Sequence, residues 1–290
     1  MSLSDAGLGR DDIGETEVRE APKKAVALDQ PVFFMHIAKT AGSYINEVLR
    51  TALGDGQIAT HVETHIGSSA DLGAALKRGT RVFSGHVMNG LWQDIAGPTR
   101  VAFRKITLLR DPVDHLASHL LWLDHYNRPE KRREYKQLDE AHQRVSDRIA
   151  AIDLTDVGQL DAYLTGISGQ EVRLFDNCQA RYFLMSGRRD MASIRPLSLA
   201  DAKALRIAAS DFDAIGFQDR LREDIPRLGK ATGLELVFTD RRVNPAQSVR
   251  RIDTSNPLVR QVLSKRTLVD QWLWRHVRRE LAIPMEPAHA

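Results

Sequence analysis

One cysteine, Cys178, occurs in 290 residues. No intrachain disulfide can form, which fits a reducing compartment. No Cys/His cluster has zinc-ligand spacing, so no structural zinc site is expected. A lone cysteine of this kind is most often a small buried hydrophobe. The apolar runs fall far short of a membrane span. Residues 1–30 lack the apolar stretch of a signal peptide; they mix Asp, Glu, Lys and Gly and read as a disordered tail. Internal repeats and low-complexity segments are missing as well. The expectation is a cytoplasmic protein, bacterial in type, with no membrane partner.

At 42% hydrophobic and 27% charged residues, the composition is that of a globular protein with enough apolar surface for a core. Residues 31–290 read as one domain. Net charge is +3, but residues 241–290 hold ten Lys/Arg against four Asp/Glu, a local +6 that leaves −3 for the rest. A basic end suggests an anionic ligand: nucleotide phosphates, a sulfated or carboxylated substrate, or nucleic acid. For most of these residues the plainer reading is a solvated helix face.

The chain is organised around Pro31–Gly42, PVFFMHIAKTAG, continued by SYINEVLRTALG. Val32–Ile37 is a β-prone apolar run of buried-strand length. Small and polar residues follow, from Ala38 to Ser43. Then Tyr44, Ile45, Val48, Leu49 and Leu53 recur at helical spacing, with Gly54 as C-cap. Strand, tight loop and helix in that order leave backbone N–H groups without intrahelical partners, and the helix dipole adds positive potential. Such a loop binds phosphate, and Lys39 adds a charge. It is not a Walker A loop, because no glycine stands in the required place before Lys39. An ordinary βα turn with a solvated lysine fits the same pattern. Phe103–Arg110 is a second strand-like run. It is followed by Asp111-Pro112, with proline suited to the first position of a helix, and by an apolar stripe, Val113, Leu116, Leu120 and Leu123. Arg110 then stands at a strand end, either facing a ligand or paired with Asp111, and Ser118 lies two turns into the helix.

The segment HIAKTAGSYINEVL resembles the 5′-phosphosulfate loop of the carbohydrate-type (heparan sulfate 2-O) sulfotransferases, whose usual form is H-I-P-K-T-[AG]-[GS]-[ST]. LLRDPVDHLASHLLWL resembles their 3′-phosphate motif, L-R-D-P-x5-S. Between the two, FSGHV at 83–87 resembles the family's G-H segment, and NCQARYF at 177–183 a later one; the likeness covers about Pro31 to Arg251. Ala38 stands where proline is common, Tyr44 where Ser/Thr is common, and Ser84 where some members carry a second histidine. The resemblance implies an α/β, P-loop-like three-layer fold with a largely parallel sheet. It also implies transfer of a sulfuryl group from 3′-phosphoadenosine 5′-phosphosulfate (PAPS) to a hydroxyl, leaving 3′,5′-ADP (PAP), without a metal.

On that footing Lys39, Thr40, Ala41, Gly42, Ser43 and Tyr44 hold the 5′ group. Arg110 and Ser118 hold the 3′-phosphate, and Ser248, Arg250 and Arg251 (NPAQSVRR) cover it. Lys39 stabilises the leaving oxygen, a role worth about 3–4 kcal/mol for a preorganised donor. His86 is the expected general base, with His61, Glu63, His65 and Asp94 in reserve; a core histidine bonded to backbone is the competing reading. His115, His119 and His125 are expected on a helix surface. The acceptor, a saccharide or other small molecule, is left open, as is oligomeric state; no nucleic-acid partner is expected. Two other readings remain, an ATP- and Mg²⁺-dependent phosphotransferase and a nucleotide- or polyanion-binding protein without turnover.

Further along, Gln57–His65 and Arg81–Ser84 read as strands, and Ser69–Lys77 and Met88–Ile95 as helical. Glu130–Ala150 reads as one exposed helix or flap. Asp156–Leu164, Glu171–Met185, Leu199–Ala209 and Leu258–Leu281 read as single helices. Gln218–Thr232 is expected to break at Pro226, and Phe212–Phe217 and Leu234–Phe238 are expected strands. Trp272, Trp274 and Leu281 are expected in the core or an interface.

Overall fold

The computed structural model describes residues 28–185, 195–240 and 251–284. Nearly all of the expected tail, and Ser248 and Arg250, lie outside the described residues. The strands are β1 (Val32–Met35), β2 (Ile58–Thr60), β3 (Val82–Gly85), β4 (Arg104–Leu109) and β5 (Ala214–Phe217). They make one parallel sheet in the order β2-β3-β1-β4-β5. Thirteen α-helices are described. They are α1 (Gly42–Leu53), α2 (Ser69–Lys77), α3 (Asn89–Ala96), α4 (Pro112–His125), α5 (Arg132–Tyr135), α6 (Glu140–Ala150) and α7 (Val157–Thr165), then α8 (Gln170–Phe175), α9 (Cys178–Leu184), α10 (Ala202–Ser210), α11 (Leu221–Thr232), α12 (Pro257–Ser264) and α13 (Leu268–Glu280).

Alternate side chains of β1 point to opposite faces. Val32 and Phe34 meet α1 and α11 on one side. Phe33 and Met35 meet α2, α3, α9, α10 and α13 on the other. Both faces are covered, so β1 is an unbroken apolar run rather than an alternating one. A third cluster joins α4, α6, α7, α8 and α12 beside the sheet. The connection after β1 runs toward β2, and that after β4 runs the opposite way, to β5. Their loops diverge at the carboxyl ends of the central strands, where an open α/β sheet leaves a crevice.

Several expected elements divide. Glu171–Met185 breaks at Asn177, which takes φ 51° and starts α9. Its side-chain oxygen accepts from the Val269 and Asp270 amides, at 2.7 and 3.2 Å, and so caps α13. Asn177 and Arg181 therefore do not share one helical face. Leu258–Leu281 splits into α12 and α13 at that cap, and Leu281 is 38% exposed rather than in the core. Glu130–Ala150 divides because Asp139 caps a new helix, accepting from the His142 amide at 2.8 Å. The resulting α6 buries Val145 and Ile149 beside α4 instead of standing free. The helix through Pro226 stays continuous. Proline sits on its exposed side, where solvent can take the carbonyl that loses its donor. Leu234–Phe238 forms no strand. Leu234 and Leu236 pack into the α1/α11 layer instead.

Candidate active site

The loop between β1 and α1 holds two non-glycine residues in the left-handed region, Lys39 at φ 67° and Ala41 at φ 69°. Such residues cost on the order of 1–3 kcal/mol each and persist where their surroundings over-determine them. Here the loop's carbonyls are fastened from the protein side. The Thr40 hydroxyl donates to the Ile37 carbonyl at 2.8 Å, His115 Nε2 to that of Ala38 at 2.8 Å, and the Arg110 guanidinium to that of Lys39 at 3.2 Å. The amides from Lys39 to Ser43 meet no backbone acceptor among the described residues, and no side chain caps α1. The loop therefore offers N–H groups at a helix start, the arrangement that binds anions. Gly42 is required: a Cβ there would overlap the His36 ring.

Arg110 is positioned through its backbone. Gln179 accepts from its amide at 2.9 Å and donates to its carbonyl at 3.0 Å. Gln179 is held in turn by the Asp270 carboxylate, which takes the Gln179 and Ala180 amides at 3.2 and 2.7 Å. Burial pushes the Asp270 carboxyl up to about 7. Asp111 is the N-cap of α4, accepting from the Val113 and Asp114 amides, and pairs with Arg260 at 3.1 Å. Arg110 thus makes no ion pair with Asp111, although Asp114 and Asp111 still favour its charge through space, and its Nε is buried without a hydrogen-bond partner.

These parts surround a cavity of about 710 Å³. Lys39, Ala41, Gly42, Ser43, Tyr44, His86, Arg110 and Ser118 all line it. Thr40 does not; its side chain is fully buried and turned toward Ile37. The Tyr44 hydroxyl takes the Thr239 amide and gives to its carbonyl, each at 2.8 Å, so it fastens the segment after α11. His65 and Asp94 are exposed and do not line the cavity. Ser84 is buried in the sheet and donates to Asn46 of α1 at 2.6 Å. Its side chain cannot play the part of a second cavity histidine.

No Asp or Glu is among the lining residues, whereas Lys39, Arg110 and Arg173 are. Burial lowers the Lys39 ammonium, and neighbouring Arg110 lowers it further. Burial also lowers both guanidiniums. Among the described residues none of the three makes an ion pair with a carboxylate. Unpaired cations out of water are costly, and an anionic ligand relieves that cost.

At the other end of the loop, the His86 ring lies 4.4 Å from that of His36. His86 Nδ1 stands 2.7 Å from the His36 carbonyl. A carbonyl only accepts, so Nδ1 carries a proton, and in the neutral ring Nε2 is the nitrogen with the lone pair. The Glu63 carboxylate accepts from the His86 amide at 2.9 Å and lies 3.3 Å from His61 Nδ1. His36 is held neutral, its pKa brought down to about 3 by burial and by the nearby His86 and His61.

Two histidines expected on the surface are buried. His115 and His119 are 1% and 4% exposed, because α4 is covered both by the β1–α1 loop and by the α6–α8 cluster; His125 is half-buried. Burial lowers His115 to about 4. His119 and Arg173, with His142 from α6, belong to the cavity lining and were not expected there. His36 carries a readable signal, a polar residue at the end of a buried strand; Arg173 and His142 carry none, since only the tertiary fold brings α6 and α8 to the cavity. Cys178 is buried and its thiol is pushed up to about 12, as suits an inert packing residue.

No described helix is long and apolar enough to cross a membrane. The chain matches no family model, and no curated protein matches it significantly.

Proposed function

We propose that this protein transfers a sulfuryl group from PAPS to an acceptor hydroxyl. The observation that supports the reading is the meeting of two cations that make no ion pair among the described residues with one imidazole nitrogen that makes no hydrogen bond. Lys39 follows β1, Arg110 ends β4, and His86 Nε2 stands at the same cavity. The amides of the β1–α1 loop suit the 5′ group, and Arg110 with Ser118 suits a 3′-phosphate; an arginine can hold phosphate in bidentate fashion. In the transfer the acceptor oxygen bonds to sulfur, and the bond from sulfur to the 5′-phosphate oxygen breaks with its electrons on that oxygen. Lys39 stabilises the charge that grows there. His86 Nε2 takes the acceptor proton, and the His36 carbonyl bonded to Nδ1–H steadies the imidazolium that results. An ATP-dependent phosphotransferase is less well supported, since phosphoryl transfer ordinarily uses carboxylate-held Mg²⁺ and no carboxylate lines the cavity among the described residues.

The test is metal-free binding of PAP against ATP, followed by release of PAP from PAPS in the presence of an acceptor mixture. Tighter binding of PAP and acceptor-dependent release are expected. Preference for ATP with Mg²⁺ would replace the reading with a kinase, and tight PAP binding without release would reduce it to a binding protein. His86→Asn should keep PAP affinity and lose about 10²- to 10⁴-fold in turnover.

A further inference from the structure

We propose that His61, Glu63 and His86 form a binding site for a zinc-class divalent cation at the rim of the cavity. One nitrogen from each histidine and one Glu63 oxygen lie within 4.8 Å of one another. The three come from two pieces of chain, His61 and Glu63 from the turn after β2 and His86 from the end of β3, which explains why no full ligand spacing shows in the sequence.

Three features make this a built arrangement rather than a chance meeting of side chains. His61 is held in the left-handed region, φ 54°, at the start of a one-turn helix. Glu63 is seated against Gly85, where a Cβ would overlap its carboxylate. Its Oε2 is fixed by the His86 amide at 2.9 Å, which leaves Oε1 directed at His61, 3.3 Å away. The His86 Nδ1–H is given to a backbone carbonyl, the usual outer partner of a metal-bound imidazole, so Nε2 is the nitrogen left to ligate.

The donor set is two imidazoles and one carboxylate with no thiolate. It suits zinc and its first-row neighbours better than Mg²⁺ or Ca²⁺, which take oxygen ligands. Ligands around tetrahedral zinc stand ~3.4 Å apart, given Zn–N bonds of about 2.0–2.1 Å. The His61 side chain is 64% exposed and already 3.3 Å from the Glu63 carboxylate, so its ring has room to adjust toward the other two ligands. Three protein ligands leave a fourth position for water or another small ligand. The ion would occupy the lone pair of His86 Nε2, so a loaded site and a proton-accepting His86 exclude each other. The binding claim itself does not depend on sulfuryl transfer, because it is read without nucleotide or acceptor.

The experiment is calorimetric titration of the full chain with Zn²⁺, together with visible absorption of the Co²⁺-loaded protein. One ion per chain and cobalt d–d bands are expected. Glu63→Gln, which can still accept from the His86 amide, and His61→Asn, which tolerates positive φ, should each weaken binding by at least about tenfold and reduce the cobalt bands. His65→Asn, four residues from His61, should leave both unchanged. Absence of saturable binding, or wild-type affinity in both Glu63→Gln and His61→Asn, overturns the site, and so does a loss in only one of them. If a variant fails to fold, the imidazole NMR signals of wild type decide: zinc should shift those of His61 and His86, and shifts confined to other histidines overturn the assignment.

Discussion

Near the C-terminus, Arg260 reaches Asp111 at 3.1 Å and Lys265 reaches Asp161 at 2.7 Å, while Arg278 pairs with Asp219. Around the cavity, Lys39, Arg110 and Arg173 meet no carboxylate at ion-pair distance among the described residues. The local charge excess lies in the first region, yet the cavity-facing charge without an ion pair lies in the second. Each of those three acidic partners comes from outside residues 241–290, the part of the chain that carries net negative charge. Four of the basic end's ten Lys/Arg, counting Arg266 with Asp176 at 3.9 Å, thus help join α12 and α13 to the body. Part of the charge counted along the sequence holds the molecule together, whereas the charge left without an ion pair faces the cavity.

The comparison breaks first, and hardest, at Arg110. Arg110→Ala should weaken PAP binding by about 2–5 kcal/mol and weaken adenosine 5′-phosphosulfate, which lacks the 3′-phosphate, far less. Equal losses for both nucleotides in a calorimetric titration would place Arg110 elsewhere than on the 3′ group. Lys39→Ala comes next: turnover should drop about 100-fold or more while PAP affinity drops less. A variant with normal turnover at saturation would show Lys39 to be a binding group only.

A smaller effect concerns the buried histidine beneath the loop. His115 has its pKa brought from 6.5 to about 4 by burial. Across that window the unfolded chain binds the proton and the folded chain does not, so stability falls as pH falls. Going from pH 7 to pH 5, His115 alone should cost about 2 kcal/mol. Urea unfolding of His115→Gln should show a shallower pH slope than wild type, and an unchanged slope would rule out His115 as a source of it. The smallest effect belongs to the C-terminal region. Lys265→Ala removes a half-exposed pair and should cost at most about 1 kcal/mol of stability, with PAP affinity unaltered. A large loss of PAP affinity there would erase the contrast between the two regions.

The sheet and the positions of Lys39, Arg110 and Ser118 were legible because each follows from a local pattern: an apolar run, a change to small residues, and a proline at a helix start. Ser69–Lys77 matches α2 at both ends for the same reason, with Ser68 accepting from the Asp71 amide as its cap. What stayed hidden depends on distant partners. Asn177 breaks a helix because its side chain is taken by the start of α13, ninety-odd residues on. Thr40 reads as a phosphate ligand, yet its hydroxyl is spent inside its own loop. His115 and His119 look like surface residues because periodicity shows one apolar stripe on α4, whereas the fold covers that helix on more than one side. His61 and His86 stand 25 positions apart in the sequence, and nothing local joins them.

Gly42 beneath the His36 ring also constrains how this loop can change over generations. A side chain at 42 has room only where a smaller residue replaces His36, and the ring that would be displaced is the one lying against His86. The steric link therefore ties substitution at one position to the side chain at the other. A library randomised at 42 alone should return glycine, and one randomised at 36 and 42 together should return matched pairs, in which any gain in bulk at one site is balanced by a loss at the other.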